Sequence, residues 1–243
     1  MYKLLFSLLV LLFFHAYDRV VAQERSIEPF VRTGIVIPIV CFTNAQFFPT
    51  PSISGGCNYY IPVSKSFSVK FGLSYEWQQM HFNGQSLFDS ASYTTLANGL
   101  INLHYIALPL QLSYVIELAD GKALRTSLGM SYGFLMYAQT KGKSQDFING
   151  QQQAETNFHY ANYVGMTPSK NYRDDRTELS GFAPAVYMDI KYQFRPKWLV
   201  GFFYRYNIND VSVNPGKSTV RMHTAGAVFS VYLSAWKKQK QAE

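Results

Sequence analysis

Residues 66–78, Ser-Phe-Ser-Val-Lys-Phe-Gly-Leu-Ser-Tyr-Glu-Trp-Gln, alternate between apolar and small or polar side chains without a break. The apolar face carries Phe67, Val69, Phe71, Leu73, Tyr75 and Trp77. A period of two is typical of a β-strand, and most strands in soluble proteins are only about 5–6 residues long. A longer strand with one wholly apolar face has the size needed to cross a bilayer at a tilt. This segment therefore predicts a membrane-spanning strand.

The first 22 residues have the pattern of a cleaved signal peptide. Lys3 supplies a positive charge, residues 4–14 form an apolar core, and Val20-Val21-Ala22 places small residues at the expected cleavage point. An uncleaved membrane helix is the alternative, but the apolar run is too short to span a bilayer. We predict a signal peptide at residues 1–22 and an outer-membrane β-barrel domain at residues 23–243.

Eight segments with strand character follow, and the connections between them alternate in length. The predicted strands cover residues 29–43, 52–62, 66–82, 101–117, 122–138, 179–194, 197–210 and 219–236. Short turns follow the second, fourth and sixth strands, whereas the connections 44–51, 83–100, 139–178 and 211–218 are longer. Such alternation is expected when one rim of a barrel faces the periplasm and the other faces outward. The sequence predicts an all-β fold, an eight-stranded antiparallel up-and-down transmembrane β-barrel.

The composition of the two strand faces indicates which face meets lipid. The faces opposite the apolar ones are rich in Gly, Ser and Ala, which would coat a soluble barrel poorly but suit the crowded interior of an eight-stranded barrel. Aromatic residues lie towards the strand ends, as in the girdles of membrane barrels. The net charge of +7 forms no basic stripe of the kind that follows nucleic acid. We therefore expect the apolar faces to contact outer-membrane lipid.

One strand carries a more specific pattern. Asn102-Leu-His-Tyr-Ile-Ala-Leu-Pro109-Leu-Gln-Leu-Ser-Tyr114, together with the preceding Gly-x-x-Tyr strand, resembles the outer-membrane β-barrel domain family common in Bacteroidota, often labelled PorT-like. The resemblance implies a barrel in the cell outer membrane of a Gram-negative envelope, placed there by the outer-membrane insertion machinery. It also suggests a link to an envelope process such as secretion. Pro109 removes a donor in the middle of a strand, which predicts a bulge or local unpairing.

Some eight-stranded barrels are lipid A acyltransferases or deacylases, so a catalytic site is one alternative for this chain. A Ser-His-acid site at the outer rim would draw on His81, His104 or His223, with serines and acids at Ser86, Ser90, Asp89 or Asp210. None of these positions has a motif spacing, and polar rim residues are the simpler interpretation. No group has the spacing of metal ligands. We predict no catalytic, metal-binding or cofactor-binding residues, and no cofactor.

Charged side chains on the small-residue faces are the remaining candidate site. Six of them are predicted to point into the barrel: Lys70, Glu76, Arg125, Asp189, Lys191 and Arg205. Because unpaired buried charges are costly, we expect an ion-pair network that fills the interior. The first, third, fourth and fifth of these residues would share the periplasmic half, and Glu76 would pair with Arg205 further out. A gated ion path is the alternative. Cys41 and Cys57 flank the turn-like segment 47–51, so a disulfide is one alternative and two unbonded cysteines the other.

The long external loop predicted at residues 139–178 is the candidate for outside contacts. It combines Gln151-Gln-Gln153 with Phe147, Phe158, Tyr160, Tyr163 and Tyr172. This composition suits either recognition of a protein or glycan, or a loop packed on itself. The sequence thus predicts an outer-membrane barrel with a filled interior and a structural or interaction role through its outer loops. A lipid-modifying envelope enzyme and a small pore are the alternatives.

Overall fold

The computed structural model describes residues 25–41, 46–89, 93–163, 172–173, 178–179, 181–209 and 219–234. The predicted signal peptide lies outside these ranges. The strands are β1 (Ser26–Cys41), β2 (Gln46–Phe48), β3 (Thr50–Pro62), β4 (Phe67–Asp89), β5 (Tyr93–Glu117), β6 (Ala123–Ile148), β7 (Gln151–Tyr163), β8 (Tyr172–Arg173), β9 (Glu178–Leu179), β10 (Phe182–Arg195), β11 (Trp198–Asn207), β12 (Thr219–Val231) and β13 (Leu233–Ser234). Within these ranges, no helix is both long enough and apolar enough to cross a membrane.

Eight strands form a closed antiparallel barrel. Their order around the wall is β1, β3, β4, β5, β6, β10, β11 and β12, and β12 pairs back onto β1 to close it. Short connections after β3, β5 and β10 lie at one rim, and the connection after β5 contains a 3₁₀ turn at Ala119–Gly121. The predicted fold class is confirmed, and the three short turns lie at one rim as expected.

Apolar side chains lie outside the barrel, and polar ones lie inside. Leu112 is 58% exposed, Leu128 60% and Phe202 76%, whereas the side chains of Lys70 and Glu28 are fully buried. A continuous apolar surface of this kind is unfavourable in water and matches the hydrocarbon core of a membrane. Aromatic rings lie near both ends of this surface: Phe67, Tyr114, Tyr192 and Trp198 on the short-turn side, and Tyr75, Tyr137, Tyr204 and Tyr206 on the other.

Backbone pairing is interrupted next to Pro109. Phe71 pairs with Leu110 and Ser74 with Ala107, but the pairs expected between them, which would involve Pro109, are missing from this described stretch. On its other side, Pro109 stays in register opposite Ser131 of β6. The predicted local unpairing is therefore present towards β4, and it follows from the missing amide hydrogen of proline.

Two connections predicted as loops are in large part strands. β4 continues to Asp89 and β5 begins at Tyr93, so most of residues 83–100 extends the sheet. β6 runs to Ile148 and returns as β7 through a turn in which Asn149 and Gly150 have φ values of 48° and 78°. Positive φ at both central residues is the requirement of a tight hairpin turn. The predicted loop 139–178 therefore begins with a long β-hairpin.

The two cysteines lie far apart along β1. Cys57 of β3 pairs with Pro29, while Cys41 is the last residue of β1. At about 3.3 Å per residue, this places the two backbones roughly 40 Å apart. A disulfide between them is excluded, and Cys57 is a free, exposed thiol. The segment 47–51 is not a simple turn that places the cysteines opposite each other, because Phe47 and Phe48 belong to β2 and pair with β4. The strand positions fit the alternative of two unbonded cysteines.

Candidate functional site: barrel interior and outer extension

Two ion pairs occupy the interior near the short-turn rim. Lys70 Nζ lies 2.7 Å from Asp189 Oδ2, and Lys191 Nζ contacts Glu28 and lies 3.7 Å from Asp189 Oδ1. The Tyr60 hydroxyl donates a hydrogen bond to Glu28 and accepts one from Lys191 at 3.3 Å. All five side chains are buried. We call these five side chains the lower cluster. Its two ammonium groups balance its two carboxylates, so the cluster is electrically neutral.

Arg125 lies near the lower cluster without joining it. Its guanidinium carbon is 4.1 Å from the ring centroid of Tyr232, and its Nε donates a hydrogen bond to Gln193 at 3.1 Å. The side chain is half-buried at the rim, where its charge keeps contact with solvent. Of the four residues predicted to share this half of the interior, the structure therefore brings Lys70, Asp189 and Lys191 together and leaves Arg125 apart.

Arginines dominate the next layer of the interior. The guanidinium of Arg32 lies over the rings of Phe30 and Tyr187, at 3.9 Å and 4.5 Å from their centroids. Cation–π contacts of this kind are strongest when water is excluded. In the same layer Arg205 and Glu76 form the expected ion pair, and both are buried.

An apolar layer closes the interior towards the outer rim. We call it the apolar cap; its buried members include Val36, Met80, Phe82, Leu103, Leu135 and Met222. Phe47 of β2 packs against it. The interior is thus filled in two ways, by paired charges near the short-turn rim and by an apolar core near the other rim.

The first strand contributes interior residues that the sequence interpretation missed. Glu28 and Arg32 point inward from β1 together with the apolar side chains of Phe30 and Val36. The sequence of this strand therefore alternates less regularly than that of most wall strands, and its faces could not be assigned from the pattern. The signal that identifies them is the row of outward residues Ile27, Val31 and Ile35, which leaves the alternate positions inside.

The rim histidines are placed separately, each among aromatic residues. His104 is hydrogen-bonded to Tyr75, and His223 to Tyr204. His81 packs against Phe48, with ring centroids 5.1 Å apart. β1 and β3 separate the strand of His223 from that of His81. Ser90 and Asp210 lie outside the described residues, as do the side chains of Ser86 and Asp89. In the part of the chain that the structure describes, no group of three or more His, Cys, Asp or Glu residues could hold a metal ion.

A row of polar side chains crosses four strands beyond the aromatic residues; we call it the polar ladder. Gln79 donates a hydrogen bond to Asn102 at 2.9 Å, Asn102 donates to Gln139 at 3.3 Å, and Gln139 lies 2.9 Å from a ring nitrogen of His159. We take the ladder as the outer limit of the lipid-facing surface, because amide and imidazole groups whose donors and acceptors are not all paired are costly in hydrocarbon. The outer extension is the sheet beyond it, formed by the ends of β4, β5 and β6 together with β7.

A bulge in β6 separates the barrel from the outer extension. His104 pairs with Tyr137 and Tyr105 with Leu135, which leaves Met136 without a partner in β5. Inward-facing residues are therefore odd-numbered up to Leu135 and even-numbered from Ala138 onwards. One inserted residue reverses the direction of every side chain after it.

The hairpin of β6 and β7 is strongly exposed at its tip. Residues 151–157 are exposed on both faces of β7. Lys143 Nζ lies 2.6 Å from Glu155 Oε1, and Gln145 donates a hydrogen bond to the same carboxylate at 3.1 Å. The hydrogen bond from Lys143 lowers the pKa of Glu155, and the bond from Gln145 and the charge of Lys143 add to this effect.

Comparisons with known proteins give one matching family and several similar solved structures. A model of the family described as "Outer membrane protein beta-barrel domain" matches residues 37–213. Three similar solved structures are Ail of Yersinia pestis (11% identity, TM-score 0.34, covering 86% of this chain and 99% of that chain), OprG of Pseudomonas aeruginosa (10%, 0.40, 87% and 98%) and Neisserial surface protein A (10%, 0.38, 88% and 100%). A comparison with curated proteins gives no match.

Proposed function

Since the chain belongs to the outer membrane protein β-barrel domain family, we propose that it is an outer-membrane barrel with a closed interior that offers β7 to an extended segment of a partner protein. The barrel anchors the chain in the outer membrane, and the outer extension carries the contact surface. The observation that carries the proposal is the free edge of β7.

Among the described residues, β7 is an open edge of the main sheet. Each wall strand of the barrel has neighbours on both sides, whereas β7 pairs only with β6 among the described residues. Natural proteins usually protect such edges with Lys, Pro or a covering element. β7 contains neither Lys nor Pro in its thirteen residues. An edge of this length can bind an extended peptide through main-chain hydrogen bonds, while alternate side chains supply specificity.

A partner protein fits this edge better than a second copy of the chain. The membrane holds all copies in the same orientation, so two β7 strands brought edge to edge would run in the same direction. Parallel pairing is slightly less stable per residue than antiparallel pairing. A partner outside the cell is free to approach in the antiparallel direction.

Amide hydrogen exchange of the full barrel in lipid nanodiscs tests the free edge. We expect alternate amides of β7 to exchange slowly, where they bond to β6, and the others to exchange fast. A synthetic peptide with the sequence of residues 141–148, which already pairs with β7 in the hairpin, is a suitable probe. This peptide should slow hydrogen exchange at the fast-exchanging amides of β7, and a scrambled peptide should not.

Two results would contradict the proposal. Slow exchange at every amide of β7 without peptide would mean that the edge is already covered. No response to peptide at millimolar concentration would mean that the edge does not accept a strand. Oligosaccharides applied in the same way provide the glycan arm of the test: shifts of side-chain signals without amide protection would favour a glycan partner.

Proline at neighbouring positions separates binding from folding. Of Thr156 and Asn157, one directs its amide to β6 and the other to the open edge, because these directions alternate along a strand. The variants are Thr156→Pro and Asn157→Pro. The one that removes the amide facing the open edge should abolish peptide binding while the hairpin stays folded. Equal binding by every variant that keeps the hairpin would contradict edge pairing.

We also propose the finer assignments that the sequence suggested. These are a cleaved signal peptide at residues 1–22, a place among the PorT-like barrels of Bacteroidota, and a role in an envelope process such as secretion. The strand around Pro109 supports the second assignment. The two alternatives, a lipid-modifying enzyme and a small pore, gain no support among the described residues. For the enzyme, tyrosines are hydrogen-bonded to His104 and His223. For the pore, the apolar cap crosses the interior.

A further inference from the structure

The charges in the barrel interior are balanced in one layer and unbalanced in the next. The lower cluster pairs two ammonium groups with two carboxylates. The layer above it contains Arg32 and Arg205 with Glu76 as the acid partner of Arg205. Arg32 is buried and held by aromatic rings. This layer therefore carries an excess positive charge, which is costly in a water-excluded interior.

A small cavity lies at the unbalanced layer. Its lining includes Arg32, Ser52, Ser54, Glu76, Gln78 and Arg205. The cavity has room for about one water molecule, which is close to the size of a monatomic anion and too small for phosphate or a carboxylate ligand. Both guanidinium groups line the same space.

Several donors around this cavity have no partner. Arg32 Nε, Arg205 Nε and Arg205 Nη2 are buried atoms without a hydrogen bond in the part of the protein that the structure describes. Unsatisfied buried donors on charged groups are among the least favourable features of a protein interior. An anion would accept from these donors and would also neutralise the excess charge. A cation would face two guanidinium groups.

We propose that the barrel binds a monatomic anion, of the chloride class, between Arg32 and Arg205. The site is independent of the outer extension and of its partner. Because the apolar cap closes the interior above it, the anion enters when the barrel folds and exchanges slowly afterwards. It completes the charge balance that lets two arginines share a narrow barrel.

Bromide provides the direct test, because it replaces chloride and is visible by anomalous scattering. Crystals of the full chain refolded in bromide should show one anomalous peak between Arg32 and Arg205. No peak there would overturn the proposal. A peak in the crystal without any effect of halide on unfolding would mean an adventitious ion only, and it would overturn the proposal as well.

Unfolding measurements test the site in solution. Barrel refolded in chloride or bromide should unfold at a midpoint several degrees higher than barrel refolded in gluconate at the same ionic strength. Arg32→Gln should remove this difference. Arg32→Met, which keeps much of the volume over the aromatic rings, serves the same purpose if the first variant does not fold. Arg125→Gln at the rim is the matched control and should keep the difference. An equal halide response in wild type and the Arg32 variants would overturn the proposal.

Discussion

Strand β6 belongs to two different environments, and its two parts are specified in different ways. From Ala123 to Leu135 it lies between β5 and β10, with lipid on one face and the packed interior on the other. From Ala138 to Ile148 it lies between β5 and β7, and polar side chains occur on both faces. In the lower part, the contrast between lipid-facing and interior side chains specifies the strand. The upper part is defined by backbone pairing and by a tight turn.

The difference follows from what surrounds the backbone. In hydrocarbon every amide and carbonyl must be paired within the protein, so the wall of the barrel has to close on itself. Beyond the polar ladder, water satisfies the backbone groups of an unpaired edge. An open strand such as β7 is therefore tolerated in the outer extension, whereas it would be very unfavourable in the wall. The variants below test this contrast, beginning with closure of the wall.

The seam between the first and last strands should be very sensitive to an added side chain. Gly34 of β1 pairs with Gly226 of β12, and a Cβ on Gly226 would lie 2.1 Å from the carbonyl oxygen of Thr33. We expect Gly226→Val to prevent closure, because a backbone atom of the neighbouring strand cannot move away cheaply. The loss of heat-modifiable migration in detergent gels would report it.

Gly55 provides the matched control for the seam. A Cβ there would meet its nearest neighbour, the carbonyl oxygen of Phe30, at 3.7 Å, which is ordinary contact. Gly55→Val should therefore fold and migrate like the wild type. A heat-modifiable Gly226→Val barrel would show that the seam tolerates a side chain.

Breaking the lower cluster should have the next largest effect. Lys191→Met leaves Glu28 and Asp189 buried with Lys70 as the one remaining ammonium group of the cluster. Removing one partner of a buried ion pair typically costs about 3–5 kcal/mol in the free energy of unfolding. Urea unfolding of the refolded barrel would measure the loss.

A double variant distinguishes charge imbalance from lost packing. Adding Glu28→Gln to Lys191→Met restores the balance and should recover part of the stability. Lys122→Met, in an exposed turn, is the control and should stay within about 0.5 kcal/mol of the wild type. If Lys191→Met behaved like Lys122→Met, the cluster would have little role in holding the barrel together.

The same contrast explains what could be predicted from the sequence. All eight wall strands could be predicted, and the faces of the five regular ones as well, because lipid and interior select different side chains: Phe71 and Leu128 point out while Lys70 and Ser127 point in. The outer extension was not recognised as strand, because segments such as Lys141-Gly-Lys-Ser-Gln are polar throughout and carry no period of two. Glu28 and Arg32 were missed for another reason, since β1 is apolar on parts of both faces.

Only part of the ion pairing could be predicted from the sequence. The expectation that buried charges must pair was enough to associate Glu76 with Arg205. It could not assign the partners of Lys191, because these depend on which strands face each other across the closed barrel. Arg125 shows the same limit: its position on an inward face was evident, but its contact with Tyr232 depends on the rim.

Deleting Met136 should disrupt the outer extension and leave the wall intact. Without the bulge residue, every side chain from Tyr137 onwards would turn to the opposite face, because a shift of one residue reverses a strand. We expect faster amide exchange in residues 138–163 and unchanged heat-modifiable migration. Met136→Leu keeps the bulge and should behave like the wild type. Loss of the barrel itself would show that the two parts of β6 are not independent.

The smallest effect concerns the exposed carboxylate of Glu155. Its pKa lies below the ordinary value because Lys143 and Gln145 donate hydrogen bonds to the ionised form. A lowered pKa in the folded hairpin means that this contact stabilises the hairpin above the ordinary pKa of a glutamate. The contribution is lost as the pH falls through the lowered value. The gain in stability is small, because exposed ion pairs are screened by water and salt.

An NMR titration of the Glu155 side chain in nanodiscs would measure the shift directly. In Lys143→Gln the midpoint should move up towards the ordinary glutamate value, because the largest cause of the lowering is removed. Lys141→Gln is the control: Lys141 is paired with His159 in the strand register, and its removal should leave the midpoint where it is. Equal midpoints in wild type and Lys143→Gln would mean that the hairpin does not hold these two side chains together. The outer extension would then rest on its backbone pairing alone, in full contrast to the wall.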